Sequence, residues 1–214
     1  MATTTLSRER IVDEAIALLD DEGPDALSMR RLALRLGVST MSTYHHIADK
    51  EALVEGIADR IMGSLERPAP DASWPDAVRT LAWSFRSLTI EHPSVFRVLL
   101  GRRPNALLRT ADDVRALLEQ RGFDEQEALL VFRTFIRYLM GSTLVELGGP
   151  GGGASRSGKA AAERQFGYGL EAIIAGVLAT TDRRPRQWGR RSSPNVPDAA
   201  TPGSPPHSRS SPSQ

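Results

Sequence analysis

Few residues in this chain have the types and spacing that chemistry requires. Cysteine is absent, so disulfides, thiolate metal sites and cysteine nucleophiles are excluded. His45 and His46 are direct neighbours. They lack the three- or four-residue spacing that puts two ligands on one helical face, so they do not read as a metal site. No paired carboxylates, nucleophile elbow or phosphate loop stand out. The glycine-rich run Gly148–Gly153 follows a helical pattern rather than a strand, so it is not a dinucleotide fingerprint. An enzyme is therefore not expected, and neither a metal nor a cofactor.

What does stand out is "GVSTMSTYHHIADK", residues Gly37 to Lys50. A turn signal leads into a short segment of small hydroxyl residues tipped by Tyr44, His45 and His46. It is too polar for a core helix and too poor in charge for an ordinary solvated one. Ala33 stands four residues before Gly37, a pairing that suits a helix-turn-helix: the alanine keeps the first helix thin, and the glycine supplies the turn. A second helix of this kind can enter a DNA major groove. Ser39, Thr40 and Ser42 offer hydroxyls, and Thr40 and Met41 offer methyl groups to thymine. Tyr44 and His45 reach toward phosphates, with His46 beside them. Arg30 can meet a guanine edge, and Lys50 can clamp a phosphate at the next helix N-terminus.

The surrounding elements read as helices, and the fold class is all-α. No convincing run of alternating β-branched residues suggests a strand. The first helix begins near Ser7, carries Ile11, Ala15, Leu18 and Leu19 on one stripe, and stops at Gly23-Pro24. The second follows Ser28, with Leu32, Ala33 and Leu36 inward. Ser39 caps the third, and Asp49 caps a fourth with Leu53, Ile57, Ile61 and Leu65 in register. Three prolines in "ERPAPDASWPD" mark a boundary. Ser73/Asp76 and Asp124/Glu127 look like capping pairs for two further helices. "VFRVLLG" reads only as a short apolar piece, followed by a helix from Asn105 to Gln120. The helix Asp124–Leu147 is apolar over about two-thirds of its girth, wider than the ~100° one core demands. It is either central or shared with a partner chain. The last helix, Ala161–Thr181, has Gly169, Ala172 and Gly176 to admit another helix closely. Three regions result: a helix-turn-helix DNA-binding domain of three helices at 1–66, a helical effector-binding and dimerisation domain at 67–182, and a tail at 183–214.

The tail holds seven of the 14 prolines, six arginines and one acid, a net +5. It cannot bury a core and is expected to be disordered. The whole chain is +1, so the remainder is −4 and any nucleic-acid surface is local. No signal-peptide core opens the chain, and no apolar run reads as long enough to span a bilayer, so a cytoplasmic protein without a membrane partner is expected.

The stretch "SMRRLALRLGVSTMSTYHHIADKEALVEGI" resembles the DNA-binding domain of the TetR family of bacterial transcriptional regulators. The Leu-Gly-Val-Ser turn, Tyr44-His45-His46-Ile47 and Asp49-Lys50 before Ala52-Leu53 carry the resemblance. "LLGRRPN" and "RQFGYGLEAIIAGVLA" more loosely resemble the C-terminal domain of its tetracycline-repressor branch. The resemblance implies a homodimer built on the last two long helices, a double-stranded DNA operator that is palindromic, and a small-molecule effector that releases it. It implies DNA contacts from Arg30, Thr40, Met41, Ser42, Tyr44, His45 and Lys50, repression being the family default. Two positions depart from the family pattern. Thr43 stands where an inward leucine is usual, and its hydroxyl is expected to bond back to a carbonyl. Leu99 stands where tetracycline repressors place a metal-binding histidine, which speaks against a magnesium–tetracycline ligand. His92, Phe96, Arg103, Phe135 and Tyr138 are candidates to line an effector cavity, and Arg133 and Arg137 read as a solvated strip. The competing reading is a helical ligand-binding or scaffold dimer without DNA activity.

Overall fold

The structure is a computed structural model that describes residues 6–102, 105–148 and 158–182. Arg103, most of the glycine-rich run and the basic tail lie outside the described residues. Among these residues the chain is helical: α1 Arg8–Glu22, α2 Met29–Leu36, α3 Thr40–Tyr44, α4 Lys50–Gly63, α5 Trp74–Glu91, α6 Pro93–Arg102, α7 Asn105–Gln120, α8 Glu125–Glu146 and α9 Lys159–Asp182, with a 3-10 turn at Pro24–Ala26.

The caps are realised at the atomic level. Each of Ser7, Ser28, Ser39, Asp49, Ser73 and Asp124 accepts a hydrogen bond from the backbone N–H three residues on, at 2.7–3.3 Å. Each bond satisfies one of the four donors a helix start leaves free, typically ~1 kcal/mol per cap. At Asp124 the box is complete, because the Glu127 carboxylate accepts from the Asp124 N–H in return. The short apolar piece expected around Val95–Gly101 is instead the full helix α6. Pro93, whose fixed φ suits a first turn, starts it, and the Phe96 N–H already bonds to the His92 carbonyl.

Two apolar cores share α5. The first joins α1, α2 and α4 through Ile11, Leu18, Leu32, Leu53 and Ile57, all fully buried, and continues into Phe85, Val95, Phe96 and Leu99. The second joins the N-terminal half of α5, at Val78 and Ala82, to Leu118, Phe135, Phe166, Leu170 and Ile174. The first core thus crosses the proline-rich stretch, so the N-terminal helices are seated on α6 rather than hung from a linker. Gly56 permits a close approach of α1 to α4 in this first core, since a Cβ there would lie 2.8 Å from Val12 Cγ2.

Contrary to the sequence expectation, α8 is long and apolar enough, by length and composition, to cross a membrane. Its packing gives another reason for that character. It lies against α5, α7 and α9 and buries Ala128, Val131, Phe135 and Thr143, while Leu130, Leu144 and Val145 stay exposed. Arg133 and Arg137 are exposed, as a solvated strip requires.

Candidate nucleic-acid interface

α2 ends where Gly37 turns left-handed at φ 68° and ψ 30°, a conformation a side chain would strain. The N–H groups of Gly37 and Val38 return to α2 carbonyls, Val38 to Ala33 at 3.0 Å. α3 is then launched across α2 and held by two buried residues. Thr43 is fully buried, and its hydroxyl donates to the Thr40 carbonyl at 2.7 Å, the bond expected at this position. Ile47, 2% exposed, anchors the far end.

Everything between these anchors faces outward. Met41 is 67% and Tyr44 43% exposed, large values for such side chains. His45, His46, Lys50 and Arg30 are exposed too. Ser39 has a different duty: its hydroxyl caps α3 and lies 2.8 Å from the Ser42 hydroxyl. His46 sits near enough to α1 to help hold the Glu9 carboxyl below the usual carboxylate range, an effect led by backbone and Ser7 hydrogen bonds.

The arginines of α2 divide sharply. Arg35 bonds to Glu14 at 2.7 Å and to Asp21 at 2.9 Å, and Arg31 pairs with Glu22. Those contacts fasten α2 to α1. Arg30 and Lys50 make no ion pair with another described residue. The open face therefore carries cations at both ends and hydroxyls between them, a pattern suited to phosphates flanking base edges.

The four candidate cavity residues that the structure describes do not converge. His92 bonds through Nδ1 to Asp20 at 2.7 Å, tying the α5–α6 corner to α1. Phe96 is 1% exposed in the first core and stacks edge-on with Phe85. Phe135 belongs to the second core. Tyr138 donates to the Phe166 carbonyl at 2.6 Å, and burial pushes its phenol up. Arg103 lies outside the described residues. Leu99, the departure from the histidine pattern, is buried beside Phe96.

A cavity of about 730 Å³ opens elsewhere, between the end of α4, the loop after it, α5 and α7. Met62, Leu65, Leu81, Val114 and Leu117 give it apolar walls. Its size is that of a small-molecule site. Sequence reasoning missed it because its walls come from segments some 50 residues apart.

Sequence reasoning also missed a clasp beside it. Glu51, Glu55 and Asp59 recur every fourth residue on α4, a water-facing stripe when that helix is taken alone. In the structure Glu51 pairs with Arg102 and Asp59 with Arg109. Between them Glu55 accepts from the Asn105 backbone N–H at 2.7 Å and from its side-chain amide at 2.9 Å. The signal was present as a matching ladder, 102, 105 and 109, with spacings of three and four. The helix that begins at Lys50 is thereby bound to the walls of the cavity.

Among the described residues no group of three histidines, aspartates or glutamates could hold a metal.

Residues 11–57 match the family of bacterial regulatory proteins named for TetR, and residues 67–165 match the tetracyclin repressor-like C-terminal domain. The tetracycline repressor protein class A from transposon 1721 of Escherichia coli is 30% identical over 159 residues, covering 72% of this chain and 74% of that repressor. Over curated tetracycline repressors the match spans 65% to 94% of their length. Among solved structures, ActR of Streptomyces coelicolor in complex with actinorhodin aligns with a TM-score of 0.68 at 27% identity, covering 84% of this chain and 98% of that one. A TetR variant from Acinetobacter baumannii AYE in complex with minocycline gives 0.68 at 26% identity, covering 82% and 98%. With its open hydroxyl-rich helix carried on the matched N-terminal segment and its cavity lined where the end of α4 meets the matched C-terminal one, this chain belongs to the TetR family of DNA-binding transcriptional regulators, which are not enzymes.

Proposed function

We propose that the protein is a cytoplasmic homodimeric repressor that binds a palindromic operator and leaves it when a small molecule fills the cavity beside α4. Residues 1–66 form the reader, 67–182 the sensor and dimer platform. The observation that carries the reading is the uncommitted face of α3. Met41 and Tyr44 stand exposed between Arg30 and Lys50, while Arg31 and Arg35 are tied to α1. An exposed apolar methionine is otherwise a liability, and on a reading helix it meets thymine methyls. Thr40 and Ser42 supply hydrogen bonds, Tyr44 and His45 meet phosphates, and Ser39 and His46 flank them.

Dimerisation draws support from the outer faces of α8 and α9. Leu130, Leu144 and Val145 on one and Tyr168, 81% exposed, and Leu178 on the other leave an apolar strip that a second copy would cover. Two copies would set their α3 helices about 34–36 Å apart, one turn of DNA. Effector control draws support from relatives named as tetracycline repressors and from structural neighbours solved with minocycline and actinorhodin. The cavity wall and the reader share α4, so a ligand that prefers one setting of α4 shifts DNA affinity by its differential affinity.

The test is binding to the DNA upstream of the protein's own gene at two salt concentrations, for wild type and Tyr44→Ala. A protected palindrome, bound less well by Tyr44→Ala and at higher salt, is expected. No preference for a palindrome over random DNA in a sequence selection overturns the proposal.

A further inference from the structure

We infer that the cavity beside α4 takes an amphipathic organic cation, and that the cation acts on α4 by displacing Arg109 from Asp59. The inference rests on the reading of that cavity as the effector site and adds the chemical class of its ligand.

The charged lining is uneven. Asp59, Glu66, Asp112 and Asp113 face Arg67 and Arg109. Arg109 pairs with Asp59 and Arg115 lies 3.8 Å from Asp112, which leaves Glu66 and Asp113 against the Arg67 guanidinium. The walls beneath them are apolar, from Met62, Leu65, Leu81, Val114 and Leu117. An acidic excess above a low-dielectric wall favours counter-ions of the opposite sign. A flat or branched apolar body with an ammonium or iminium group satisfies both parts. An organic anion of the same shape would gain from the walls and be repelled by the rim.

Asp59 is the member of the lining that belongs to α4. Its pair with Arg109 is open to water, with side chains 50% and 59% exposed, so exchange of one cation for another is easy. The exchange has a consequence that a neutral ligand would lack. Asp59–Arg109 is the lowest rung of the clasp whose other rungs are Glu55–Asn105 and Glu51–Arg102. A ligand ammonium that takes Asp59 frees α7 from that end of α4, one turn from Glu55. α4 begins at Lys50, directly behind the reading helix.

Tetraphenylphosphonium and tetraphenylborate are matched in shape and opposite in charge, and the test uses both on the full-length protein by titration calorimetry. Three proteins are compared: wild type, the variant Glu66→Gln/Asp112→Asn/Asp113→Asn, and the cavity-filling Leu117→Trp, each checked for native helicity. The phosphonium is expected to bind wild type at least tenfold tighter than the borate. The triple variant should lose that preference, and Leu117→Trp should bind neither. If both ions bind wild type equally and Leu117→Trp blocks both, the cavity is a ligand site and the cationic class is wrong. If Leu117→Trp changes nothing, or neither ion binds, the cavity reading itself fails. Phosphonium should also release operator DNA from wild type and not from Asp59→Asn. Equal release from both would overturn the role of Asp59.

Discussion

The reader and the sensor handle arginine in opposite ways. In α2, Arg31 and Arg35 lie at the surface and spend their charge on acids of α1, so that the neighbouring Arg30 stays available. Exposed pairs of this kind stabilise little but fix which cations are committed. In the sensor, Arg86 is 7% exposed, bonds Glu146 at 2.9 Å and lies over the rings of Trp83 and Phe166 at 5.7 and 5.3 Å. There the charge is enclosed and has one partner, and it locks α5 to α8. The reader is thus organised around side chains kept free, the sensor around side chains that cannot be freed cheaply.

That contrast breaks most visibly at Glu146. Replacing it by leucine leaves the Arg86 guanidinium buried without its carboxylate, which costs about 3–5 kcal/mol. Adding Arg86→Met to Glu146→Leu should restore most of the loss, because the pocket then holds only apolar groups. Urea unfolding of the two variants checks this. A single variant as stable as wild type would mean that Arg86 finds water, and that the sensor is no more closed than the reader.

Next in size is Gly169, where α9 meets α8. A Cβ there would lie 2.5 Å from the Tyr138 hydroxyl oxygen and 2.7 Å from its ring, while that hydroxyl is held by the Phe166 carbonyl. Gly169→Ala should cost about 1–3 kcal/mol by overpacking. Thermal melting should show the loss, and Tyr138→Ala in the same background should relieve the clash while creating its own cavity.

The reader responds to charge rather than volume. Lys50→Ala should lower the salt dependence of operator binding by about one phosphate contact, a change of about 1 in the log–log slope. Arg31→Ala, which removes a committed cation, should leave the slope unchanged. Binding isotherms at several salt concentrations separate the two. Equal slopes for both variants would erase the distinction between committed and free cations.

Local signals were legible and long-range ones were not. The six N-caps, the left-handed Gly37 and the back-bond of Thr43 each depend on residues within four positions, and each was readable as sequence. The family resemblance rested on that same compact stretch. The cavity depended instead on how α4 crosses α7, and no periodicity reports a crossing. Phe96, Phe135 and Tyr138 were plausible cavity residues because aromatic side chains suit ligands. The same property suits cores, and the structure places Phe96 and Phe135 in two different ones. Glu51, Glu55 and Asp59 drew no reading from the sequence because, within α4 alone, they are only a water-facing stripe. Only the ladder on the facing segment turns them into a clasp.

The smallest effect distinguishes one copy of the sensor from two. Gly169 and Gly176 lie seven residues apart on α9, nearly on one side, yet only the first has a neighbour. A Cβ at Gly176 would meet no other element of the described protomer within 4 Å. If α9 faced water there, Gly176→Ala would simply remove a helix-weakening residue and add up to about 1 kcal/mol. If a second copy packs its own α9 on that open stretch, the new methyl meets it, and the gain turns into a weaker dimer. The sign is read from the dilution dependence of sedimentation alongside the melting temperature. A variant that melts higher and stays as dimeric as wild type would remove Gly176 from the interface. A variant that dissociates at concentrations where wild type holds together would put it there.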